Sequence, residues 1–339
     1  MSALHVDHAR CVHARSVKAS CRACVEACPT SAITLAGERQ AVHVDLESCT
    51  TCGLCVAACP TEVFDVGRQA LPEGTELKCG GPLPCVGALS VEDLVQLGLS
   101  GPRTIIAAAG CIHGRTGHRA ERIAEANAVL SALGARHTLT WREEGPPGPP
   151  FVKPPKEAVP PRRQFFRMLT PKVDSGPTAI TPPDKLDPAR VRAQLVPERR
   201  KRTLAAIPSG AAPKVATLPD SSFTSTKRID LATCTGCMAC VTACPTGALT
   251  TNRTREVVRF DGGRCVKCHL CHDVCEPAAI TLAPAFELEP FLDAAPRTLV
   301  TLPMRPCAEC GLPYKADGQP LCPTCRAQDA EARELQRLT

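Results

Sequence analysis

The sequence predicts an α+β protein built from two small cysteine-rich domains, a small α/β domain, a proline-rich linker and a C-terminal two-knuckle ribbon. Three observations predict it. Cysteine is the compositional outlier, at 23 of 339 residues. Most of these cysteines follow one spacing, C-x2-C-x2-C-x3-C, in three close copies and one interrupted copy. Residues 75–141 alternate strand-like and helix-like stretches, whereas about half of the 33 prolines crowd into residues 141–230.

The composition excludes several classes. A disulfide framework belongs to short secreted chains, and C-x2-C pairs in series read as metal sites instead. Aromatic residues make up only 3%, so no large aromatic core is available and metal–thiolate bonds must help hold the domains. Met1–His8 has no basic, then apolar, leader, and the longest weakly polar run, Thr104–Ile112, is too short to span a bilayer. The expected setting is the reducing cytoplasm, with no membrane span. The net charge of +6 is local: residues 141–230 carry 17 Lys/Arg against 9 Asp/Glu, a local +8, which leaves about −2 elsewhere.

The first domain is expected over residues 1–72. Its best-formed motif is Cys49-x2-Cys52-x2-Cys55-x3-Cys59-Pro60. Four thiols at this spacing suit a cubic iron–sulfur cluster; three share one loop and the fourth ligates the other cluster of a pair. The first half reads Cys21-x2-Cys24-x3-Cys28-Pro29, with Lys18 where a leading cysteine is expected and Cys11 the only thiol upstream. Either an insertion bulges out and returns Cys11 to the site, which costs little loop entropy, or Cys11 is free and another ligand such as His13 replaces it. A strand is expected at Ala41–Asp45.

Residues 73–141 read as a small α/β domain. Strands are expected at Thr75–Cys79, Arg103–Ala109 and His137–Trp141. Helices are expected at Ser90–Leu97, with Ser90 as N-cap and Asp93 at N3, and at His118–Leu133, with Gly134 just beyond. This alternation implies a parallel sheet. Cys79, Cys85 and Cys111 fall at or beyond strand ends, where such sheets bind ligands. Gly110, Gly114 and Gly117 do not make a dinucleotide fingerprint.

Residues 142–225 read as an extended basic linker, interrupted by two helical islands near Arg162–Leu169 and Asp187–Ile207. Arg162-Arg163 resembles an export signal but has no apolar run after it. Arg199-Arg200-Lys201-Arg202 lacks an aromatic platform for nucleic acid, so an acidic partner surface is the expected target. The second cysteine-rich domain, 226–290, carries Cys234-x2-Cys237-x2-Cys240-x3-Cys244-Pro245 and Cys265-x2-Cys268-x2-Cys271-x3-Cys275, here followed by Glu276-Pro277. In residues 303–339, Cys307-x2-Cys310 and Cys322-x2-Cys325 suit one tetrahedral ion, zinc or a single iron, ahead of a surface helix.

The two cysteine-rich domains resemble bacterial dicluster ferredoxins, including ferredoxin-like electron-transfer subunits of larger oxidoreductases. The resemblance implies four [4Fe–4S] clusters. Cluster I would use Cys11, Cys21, Cys24 and Cys59, and cluster II Cys49, Cys52, Cys55 and Cys28. Cluster III would use Cys234, Cys237, Cys240 and Cys275, and cluster IV Cys265, Cys268, Cys271 and Cys244. The middle domain resembles the delta-type iron–sulfur subunit of heterodisulfide-reductase-linked hydrogenases. That implies a [2Fe–2S] cluster on Cys79, Cys85 and Cys111, with His113 or His118 completing it. The other reading is a docking domain with free thiols. The C-x3-C-x2-C order of S-adenosylmethionine radical enzymes does not occur. The expected function is non-catalytic electron transfer between a redox donor protein and an oxidoreductase subunit, with the linker letting one domain dock while the other waits. The alternative is an iron–sulfur adaptor or maturation protein for a metalloenzyme.

Overall fold

The computed structural model describes residues 4–37, 41–67, 71–80, 83, 85–109, 111, 113, 119–145, 179–183, 185–208, 217–218, 221–293 and 295–337. The prolines of 146–155, the helical island at Arg162–Leu169, Gly110, Gly114, Gly117 and His118 lie outside the described residues.

Both cysteine-rich domains follow one plan, a two-stranded pair beside a three-stranded sheet. In the first, His5–Val6 pairs antiparallel with Phe64–Asp65, and Ile33–Ala36 pairs with Ala41–Asp45. In the second, Lys227–Ile229 pairs with Ile280–Leu282, and Leu249–Thr251 with Val257–Phe260. Alternate residues of Ala41–Asp45 face inward, so Val42 and Val44 are buried against Ile33, Val63 and Phe64. The third strands come from outside the expected domains. Ala179–Ile180 completes the first sheet by pairing with Val44 and Asp45, and Arg297–Thr301 completes the second.

The middle domain is a parallel three-stranded sheet with Arg103–Ala108 between Glu76–Lys78 and Leu139–Glu144. Helices Val91–Ser100 and Arg119–Ala132 cover it through Leu94, Val95, Val129 and Leu130. Ser90 and Asp93 form a complete capping box. Gly98 lets the helices meet, because a Cβ there would lie 2.2 Å from Leu130 Cδ1.

The second half of residues 142–225 is not an extended linker. It contains helices Pro188–Arg192 and Glu198–Ala206, where the helical island at Asp187–Ile207 was expected. The second of these, the clasp helix, packs on Val91–Ser100, with Gln96 donating to Thr203 Oγ1 at 2.9 Å. Arg199 and Arg200 are not offered to an acidic partner. Both are buried, on Glu92 carboxylate oxygens at 3.0 and 2.5 Å. Arg199 also donates to the carbonyls of Val56 and Cys59 in the first cysteine-rich domain. Arg200 donates to those of Gly263 and Cys265 in the second, and sits 5.4 and 5.1 Å from the Phe223 and Phe291 ring centres. The Glu62 carboxylate accepts from the backbone N–H of Glu198 and Arg199, at 2.8 Å each, and so caps the helix from the first domain. The arginine run thus ties three domains together. Independently docking domains, expected from a flexible linker, do not fit this arrangement.

Candidate iron–sulfur and metal centres

Three of the four ligand loops share a backbone shape. The residues on either side of the second cysteine are left-handed: Thr51 and Gly53, Gly236 and Met238, Lys267 and His269. Each non-glycine residue held there costs about 1–2 kcal/mol, a strain that folds the loop so that three thiols converge. The loop at Cys21–Cys24 is the exception, since Ser20 and Arg22 are not left-handed. The third residue after each fourth cysteine is left-handed in all four motifs: Ser31, Glu62, Gly247 and Ala278. The Cys275 turn therefore keeps its form although its proline is displaced.

These turns bring the thiols together in crossed sets. After burial, the groups acting on the Cys24 thiol are Cys59, Cys21 and Cys11, ahead of Cys55. Cys28, Cys49, Cys52 and Cys55 line one hollow. Cys244, Cys265, Cys268 and Cys271 line another, and Cys234, Cys237, Cys240 and Cys275 a third. In each set the fourth thiol comes from the partner motif. Cys11, not His13, reaches the first set; His13 Nε2 lies instead 2.7 Å from the Cys21 carbonyl.

The donor chemistry fits a polynuclear iron–sulfur centre. Burial pushes the Cys11, Cys240 and Cys271 thiols up to about 12, so a bare thiolate is disfavoured and a cationic group is needed to hold one. A single tetrahedral ion would draw its thiols to about 3.8 Å from one another. Among the described residues, the only group of three or more His, Cys, Asp or Glu with ligand atoms within 4.8 Å is Cys307, Cys310, Cys322 and Cys325. The four crossed sets are wider, as a larger group requires.

Polar groups also reach the sulfurs. Ala32 N and Val63 N donate to Cys28 Sγ and Cys59 Sγ at 3.2 and 3.3 Å. The hydroxyls of Thr30, Thr61 and Thr246 lie 3.7, 3.8 and 3.7 Å from Cys28, Cys59 and Cys244 Sγ. The repeated Cys-Pro-Thr run was visible in the sequence, but its role was missed. Cys275, followed by Glu276, has no such threonine.

In the middle domain, Cys79 and Cys85 meet, and Cys111 also acts on the Cys85 thiol. His113 Nδ1 lies 3.5 Å from Cys111 Sγ, and its Nε2 lies 3.4 Å from Thr50 Oγ1. Cys85, fully buried, packs with Cys52, Leu54 and Cys79, so these thiols back directly onto the second crossed set.

The C-terminal ribbon is built on the hairpin Met304–Pro306 and Pro313–Lys315. Cys310 and Cys322 Sγ are 3.9 Å apart, the spacing expected for a tetrahedral ion. Backbone N–H groups of Cys310 and Cys322 hold the Cys307 thiol down at about 6, favouring the thiolate ligand. Helix Pro323–Arg337 follows, with Cys325 its only buried residue.

Comparison with protein families matches residues 19–63 to a 4Fe-4S dicluster domain and residues 227–250 to a 4Fe-4S binding domain. The first match begins after Cys11, and the second ends before Cys265. No curated protein matches the chain. No helix among the described residues is long and apolar enough to cross a membrane. With thiols gathered where these matches fall, the chain carries two 4Fe–4S ferredoxin-type domains, which support an iron–sulfur electron-transfer protein.

Proposed function

We propose that the chain holds four [4Fe–4S] clusters, one in each crossed set, and passes single electrons between a redox donor protein and an oxidoreductase subunit in the cytoplasm. The crossed convergence of the sixteen thiols is the observation that carries this reading. Such clusters supply one-electron chemistry. The residues bury them, fix their spacing through shared motifs, and tune them through bonds to sulfur. All four positions of each set are protein thiols, which favours electron transfer over substrate chemistry.

Two further groups belong to the reading. Cys79, Cys85 and Cys111, with His113 as the fourth donor, would hold a [2Fe–2S] centre, as histidine does in Rieske-type sites. Cys307, Cys310, Cys322 and Cys325 would hold zinc. Protein purified anaerobically is expected to carry about 16 irons from four cubes, besides any in the middle domain, and one zinc. Fewer than about 8 irons after careful reconstitution would remove the four-cluster reading.

The exposed helix Pro323–Arg337 favours a second reading, an iron–sulfur adaptor for a metalloenzyme, because it offers a charged handle that packs on little of the chain. Clusters that cannot be reversibly reduced would favour the adaptor.

A further inference from the structure

The seven-residue offset that separates Cys11 from its expected position falls inside a ligand loop. If it were a surface bulge, its residues would be solvated. Its tip is solvated, with Val17 64% exposed, but Val12, His13 and Ala19 at its two ends are buried. Val12 and Ala19 form one apolar cluster with Leu270 of the second cysteine-rich domain, flanked by Cys21 on one side and by Ala243, Cys268 and Val274 on the other. A polar rim surrounds this contact. Ser20 donates to the Asp273 carboxylate from its N–H and its hydroxyl, at 2.9 and 2.8 Å. Lys18 Nζ lies 2.6 Å from Glu276 Oε1. Arg15 donates to the Ala193 carbonyl, and the thiols acting on its guanidinium are Cys244 and Cys268.

We propose that residues 12–20 are an electron bridge between the two domains. They set the Cys11–Cys21–Cys24–Cys59 set against the Cys244–Cys265–Cys268–Cys271 set across a dry contact of Val12, Ala19 and Leu270. This rests on the four-cluster reading and adds the order of the sites. Among the four cubic sites the Cys49 set and the Cys234 set become the outer two, the Cys49 set facing the middle-domain thiols, and the interrupted motif is the junction. The step is a one-electron exchange in which one site is oxidised and the other reduced. No bond forms or breaks and no proton moves, and the electron comes from an external low-potential one-electron reductant.

This arrangement also explains why the Cys21–Cys24 loop lacks the left-handed pair of the other three. Its approach is dictated by the neighbouring domain and not by the loop's own turn.

The test uses the full chain, loaded anaerobically, with iron content and melting temperature measured first. A substoichiometric pulse of photoreduced deazaflavin is followed by freeze-quenched EPR of the reduced sites. In the wild-type chain, redistribution between the two domains' signals is expected to be independent of protein concentration. Ala19→Glu places a carboxylate in the dry contact, and Lys18→Glu with Asp273→Ala removes the Lys18–Glu276 and Ser20–Asp273 contacts of the rim. In either variant the concentration-independent interdomain phase is expected to be lost, leaving a phase proportional to concentration, while iron content holds. Should Ala19→Glu lose iron, the rim variant alone decides by the same criterion. Unchanged, concentration-independent redistribution with full iron in the variants would overturn the bridge and leave the four-cluster reading standing. A wild-type chain without [4Fe–4S] signals would overturn both.

Discussion

Replacing Glu92 with glutamine tests the clasp. Glu92 is 2% exposed, and both its oxygens face guanidinium groups on consecutive residues, with Arg200 fully buried. Burial alone would lower the Arg199 pKa, but Glu92, Asp93 and Glu62 together hold it above its ordinary value. The amide of Glu92→Gln has the same shape but no charge, so two buried cations lose their counter-ion. Removing one partner of a buried pair costs about 3–5 kcal/mol. A control lies one residue further along the same helix. The Lys201–Glu198 pair is exposed on both sides, so Lys201→Ala should cost about 0–1 kcal/mol. Anaerobic denaturant titration of the iron-loaded chain, followed by cluster absorbance and by circular dichroism, would measure both. Glu92→Gln is expected to lose several-fold more stability than Lys201→Ala and to separate the unfolding of the two cysteine-rich domains. A loss below about 1 kcal/mol with a single unchanged transition would refute the reasoning, because it would place the arginines in the range of exposed pairs.

Other substitutions probe the sites. Gly53 has φ +77° and a Cβ there would lie 2.9 Å from Ala88 Cβ, so Gly53→Ala should cost upwards of about 1 kcal/mol and loosen the middle domain, read as faster hydrogen exchange at Val86–Ala88. Thr61→Val removes a hydroxyl from Cys59 Sγ; electron-rich sulfur is then less stabilised, so the cluster potential should fall, measured by EPR-monitored titration. An unchanged potential would show that this hydroxyl does not tune the site. Cys310→Ser should abolish metal binding at the ribbon and disorder residues 304–325 without lowering the iron count of the crossed sets, as metal analysis and hydrogen exchange would report, because structural metal sites supply much of the folding energy of small ribbons.

Much of this architecture was readable from side-chain spacing. The parallel sheet followed from alternating elements, although its last strand runs Leu139–Glu144 and not His137–Trp141, and the Ser90–Asp93 cap followed from its local motif. The resemblance to dicluster ferredoxins, carried by the C-x2-C-x2-C-x3-C repeat, implied the crossed sets, and the turns that gather these thiols are local. What stayed hidden depends on partners distant in the chain. Arg199 and Arg200 sit in a basic, proline-flanked stretch, and nothing nearby indicates that Glu92, more than a hundred residues earlier, is buried and waiting for two cations. Ala179–Ile180 is too short to be recognised as a strand until Val44 and Asp45 present their open edge. The offset at Cys11 was visible, but its contact with Leu270 was not, because a one-dimensional pattern carries no information on which surface a loop will meet.

The third strand of the first sheet has a consequence for synthesis. Val44 and Asp45 are made early, but Ala179 and Ile180 follow Asp65 by more than a hundred residues. At about 5–20 residues per second, that interval lasts roughly 6–23 seconds on the ribosome. The N-terminal thiols are therefore all present well before the fold around them can close. The clasp helix at Glu198 and the second domain's Asp273 arrive later still. Iron delivered during that interval would meet an accessible, half-built nest, whereas iron delivered after release would meet one already walled in by the rest of the chain.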